Sequence, residues 1–159
     1  MTTSVLRDLI AAHPVLRACV RHDIGGAGAD RSDVPPGVSS GFAAIDRYLP
    51  WQGWPRGGMT ELMTEGTGRG ELSLLLPAMA QRSNEKRQIV CIGAPHAIFA
   101  PGLEQAGIDP LRVNQIQVSG SGQPGARGQL DALWSAEQTL KSGTAGMVLL
   151  WTRHCPPDA

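Results

Sequence analysis

The sequence predicts an α/β fold with a mainly parallel sheet flanked by helices. Three observations carry this. Residues 59–63, 66–70 and 71–80 read as a strand, a glycine-rich turn and a helix, the order of a phosphate-binding loop. Ile89-Val-Cys-Ile-Gly93 is a continuous apolar run, as expected of a strand buried on both faces of a parallel sheet. Two further strand-like runs, 113–118 and 147–151, alternate with helical stretches, which is the pattern of βα repeats.

In chain order, residues 3–22 read as one or two short helices. Val5, Leu6, Leu9, Ile10, Leu16 and Val20 form an apolar stripe that Pro14 interrupts. Such a stripe packs into a core or docks on a partner. His13 and His22 have no ligand cluster around them and read as surface or capping residues. Residues 23–40, rich in Gly, Asp, Ser and Pro, predict a flexible linker. The expected organisation is therefore N-terminal helices at 1–22, a linker at 23–40 and a globular core at 41–159.

Residues 41–48 read as a short helix, followed by a turn-rich segment carrying Trp51 and Trp54. Loop tryptophans serve as partner anchors or cover a sheet edge, and both readings stand for this pair. Leu72, Leu75, Leu76, Met79 and Ala80 recur at helical spacing and predict the buried face of the central helix. A short helix begins near Pro101 and closes at Gly107, a glycine in the position that ends helices. Residues 119–128 predict a flexible loop. Leu130, Leu133, Trp134, Ala136 and Leu140 mark a helix ending at Gly143, and Met147–Trp151 a last buried strand.

Length and charge bound the function. A chain of 159 residues fits one domain. With 14 acidic and 14 basic residues the formal net charge is zero, which argues against a protein whose main affinity is for the nucleic-acid backbone. Arg82, Lys86 and Arg87 form one small basic cluster, the sort usually found as a solvated face. Cys19, Cys91 and Cys155 are far apart, odd in number and lack zinc spacing, so reduced thiols are expected. No apolar run approaches the ~18 residues needed to span a bilayer, and no signal peptide is read, so a cytoplasmic protein is expected.

The glycine-rich turn, Gly66, Gly68 and Gly70, carries the chemical question. A working P-loop continues with lysine, which reaches the β/γ-phosphates, and a hydroxyl that holds Mg²⁺. Here Glu71 and Leu72 follow Gly70. A carboxylate repels phosphate oxygens, so the layout of a nucleotide site is present without its chemistry. The simpler alternative is that three glycines make a turn. No Ser/His/Asp grouping, paired carboxylates or metal cluster is evident elsewhere. His96, next to Pro95 at the end of a strand, sits where α/β sheets place active residues, but without the partners a catalytic histidine needs it reads first as a residue leading into a helix.

Three patterns together resemble the RecA ATPase core over residues 40–151. Ser40-Gly41-Phe-Ala-Ala-Ile-Asp46 followed by Trp54-Pro-Arg-Gly57 is similar to its lead-in helix and turn. His96–Ile98 through Ala106–Asp109 is similar to the segment after its second strand, and Ser142-Gly143 with Met147–Trp151 to the helix and strand that carry its magnesium-supporting aspartate. At the positions where the resemblance expects the phosphate-gripping lysine, the water-positioning glutamate and that aspartate, the chain has Glu71, Pro95 and Trp151. The resemblance therefore implies a RecA-like fold that neither hydrolyses ATP nor needs a cofactor.

Within that group the sequence resembles ImuA-type proteins of bacterial SOS mutagenesis cassettes. The shared features are Gly41–Asp46, Gly53-Trp-Pro-Arg-Gly-Gly-Met-Thr-Glu-Leu62, Gly68-Arg-Gly-Glu71, Leu74-Leu-Leu-Pro-Ala78 and Asp131-Ala-Leu-Trp-Ser-Ala-Glu137. A more distant similarity joins it to the cell-division inhibitor SulA. The ImuA resemblance implies a non-catalytic adaptor in error-prone translesion DNA synthesis, contacting proteins of a polymerase cassette and RecA itself. The SulA similarity implies the alternative, a division inhibitor that binds the tubulin-like division protein. Trp51, Trp54, Arg82 and Arg87 are the candidate partner-binding residues. Further sheet is expected after Trp151, so a truncated sheet and a fragment of a longer protein are expected.

Overall fold

The computed structural model describes residues 37–49, 51–63, 68, 70–118 and 128–152, together with the backbone of 22, 23, 126 and 127. The expectations placed on residues 1–21, on most of the 23–40 linker, on Gly66, on residues 119–125, and on Cys19 and Cys155 lie outside the described residues. The fold is α/β. The chain divides into two compact units, Met1–Ala78 and Met79–Ala159.

The first unit holds β1 (His22–Asp23), α1 (Ala43–Asp46), β2 (Met59–Thr60) and the start of α2 (Glu71–Asn84). β1 and β2 pair antiparallel, His22 with Thr60 and Asp23 with Met59. His22 is thus a strand residue rather than the end of a helix. The described end of the expected linker, residues 37–40, is paired with the segment that follows. Val38 forms an antiparallel bridge with Trp54, and Gly37 N–H donates to Trp51 O at 2.9 Å. Val38 and Trp54 are both buried, so even a turn-rich stretch finds its small core by pairing one apolar residue across a bridge.

The second unit is a three-stranded parallel sheet in the order β4–β3–β5, with β3 at Gln88–Ile92, β4 at Val113–Ile116 and β5 at Ala145–Leu150. β3 is central because its apolar run tolerates burial on both sides. α4 (Ala126–Lys141) covers one face. Val90 and Ile92 meet Val118, Ala132 and Ala136 there, with Ile116, Ala145, Val148 and Leu150 packed against them. Ile89 and Cys91 alternate to the other face and are fully buried. Burial alone pushes the Cys91 thiol up to about 11.

A short helix, α3 (Ala100–Gln105), and a 3₁₀ turn (Pro110–Arg112) lead into β4. Gly107 follows α3 at φ +76, as its helix-ending position requires. Ser83 is buried because its Oγ accepts the Asp109 N–H at 3.0 Å. Gly146 in β5 is a close-approach position, since a Cβ there would lie 2.5 Å from Arg87 Cβ. The buried side of α2 also differs from its expected face. Leu74, Ala78, Met79 and Ser83 are its buried residues, whereas Leu72, Leu75, Leu76 and Ala80 are only half-buried.

Candidate functional site

The glycine-rich turn ends at the first residue of α2. Gly68 and Gly70 have φ of +77 and +93, backbone that other residues avoid. Such geometry followed by a helix N-terminus turns N–H groups outward, the arrangement that binds phosphate. Here the anion is supplied from within. Gly68 N–H donates to Glu71 Oε1 at 2.9 Å. The carboxylate also lies in the first turn of the helix, where the macrodipole favours negative charge. Glu71 therefore bonds one N–H of the turn and places its carboxylate at the start of the helix.

In the second unit, Pro95 and Trp151 belong to the carboxyl ends of β3 and β5, the edge where α/β sheets place their ligands. Gly93 N–H donates to Ile116 O and Trp151 N–H to Ile92 O, both at 3.0 Å, so backbone bonds join all three strands at this edge. A Cβ added at Gly93 would lie 3.2 Å from Trp151 O. The following loop is held by Gln115, whose amide accepts from Ile98 N–H at 3.1 Å and donates to His96 O at 3.0 Å. His96 and Pro95 are exposed, and Trp151 is half-buried. Among the described residues no group of three or more His, Cys, Asp or Glu is placed to hold a metal ion. The edge thus carries an exposed proline and histidine in the loop tied to β4 and a half-buried tryptophan after β5.

The family models, the curated proteins and the solved structures contain no match to this chain.

The geometry gives the Ser-Gly-x-x-x-x-Asp pattern a structural role. Asp46 Oδ2 accepts from Ser39 Oγ at 2.7 Å and Oδ1 from Ser40 N–H at 2.9 Å. Ser40 Oγ in turn donates to Phe42 O and accepts from Phe42 N–H, each at 3.2 Å, and Gly41 N–H donates to Ser39 Oγ at 3.1 Å. Partial burial raises the Asp46 pKa, and the bonds from Ser40 and Ser39 outweigh it, leaving the carboxyl below its ordinary value. The motif closes a ring around a four-residue helix.

The remaining candidates disperse. Trp54 is buried, and its indole N–H finds no acceptor among the described residues; Trp51 is half-buried. Trp54 consequently presents no anchor at the surface. Arg82 is engaged with Glu85 at 2.5 Å, and its side chain is 13% exposed. Arg87 lies along Gly146 and points its guanidinium at Gly143 O, 3.5 Å away. Arg82 is thus held against Glu85, while Lys86 and Arg87 are exposed, so two of the three basic residues lie on the solvated face expected of them. Sequence reasoning missed the Gln115 clamp and the Glu71 contact. The second joins residues three apart at a helix start, a spacing that permits a side chain to reach back without requiring it.

Proposed function

We propose that the chain is a degenerate RecA-like protein that works without nucleotide, as a non-catalytic adaptor in the bacterial DNA-damage response supporting error-prone translesion synthesis through protein contacts. The observation that carries this reading is the Gly68–Glu71 hydrogen bond. A nucleotide phosphate arriving at the turn would have to displace a tethered carboxylate and then sit beside it, and both steps oppose binding. Proline and tryptophan at the sheet's carboxyl edge fit the same reading, since neither side chain positions water or supports Mg²⁺. A surface freed from a nucleotide cycle suits constitutive docking. Cassette polymerase proteins and RecA are the partners the resemblance suggests, in the cytoplasm.

The test is capture from DNA-damaged bacterial cells with the tagged chain, beside a titration with Mg²⁺-ATP. Recovery of translesion cassette proteins is expected, with no saturable ATP binding. Recovery of the tubulin-like division protein instead would favour the SulA-like alternative. ATP binding with a dissociation constant on the order of 1 µM or tighter would sink the nucleotide-free reading.

A further inference from the structure

We draw no further inference here: the strongest candidate, the apolar flank of α4 that exposes Leu130, Trp134 and Leu140 while Ala132 and Ala136 face the sheet, carries nothing because nothing in the structure shows what covers it.

Discussion

Five hydrogen bonds close the ring around Asp46, and they hold a four-residue helix that buries none of its own residues. β3 is held instead by four consecutive buried side chains, Ile89 to Ile92. One region is positioned by directional polar contacts and the other by apolar burial. The difference teaches what a motif means in each place. In the ring the identity of each residue matters, because an oxygen must meet an N–H or O–H at a fixed distance. In the strand volume and apolarity matter, and near-isosteres are tolerated.

Three substitutions sharpen or break that contrast. Ile92→Ala should have the largest effect, destabilising the sheet by about 3 kcal/mol through lost burial and the cavity left behind. Amide exchange should accelerate across 88–92 and 145–150, and unchanged protection there would mean that β3 is not the core. Gly146→Ala should cost about 1–3 kcal/mol, because the new Cβ meets the stem of Arg87 and a packed neighbour must shift. Arg87→Ala in the same chain should recover part of that loss in a urea melt. Asp46→Asn should cost about 1–2 kcal/mol of local stability, confined to 37–49. The folded Asp46 carboxyl sits below its unfolded value, so its contribution is present above the unfolded pKa and disappears as pH falls through the folded one. Exchange at 37–49 should therefore rise on acidification in the wild type and show a smaller acid dependence in the Asn variant.

The strands of the sheet were legible because their signal is local. The runs at 89–93, 113–118 and 147–151 needed no distant partner to be read, and the strands form at Gln88–Ile92, Val113–Ile116 and Ala145–Leu150. β2 was not legible in extent. The expected strand reached Met63, whereas among the described residues the ladder covers Met59 and Thr60, with Met59 and Met63 exposed. The face of α2 was misread for a related reason. Leu74, Leu75 and Leu76 are apolar all round the helix, so periodicity could not choose among them. Ser83 is buried for one backbone N–H that lies 26 residues away in sequence. Trp54 divided between two readings until Val38, 16 residues earlier, was found beside it. The candidate loop was legible as a glycine pattern, and Glu71 was read as a missing lysine. Its contact with Gly68 N–H could not be read, since spacing alone does not fix where a flexible carboxylate points.

That contact also fixes the charge at the start of α2. With Glu71 in place, the Gly68 N–H has an acceptor supplied by the chain itself. Glu71→Lys would remove that acceptor, leave the Gly68 N–H to solvent and put a positive charge where the helix dipole favours a negative one. One side chain thus sets both the hydrogen bonding of the turn and the sign of the charge beside it.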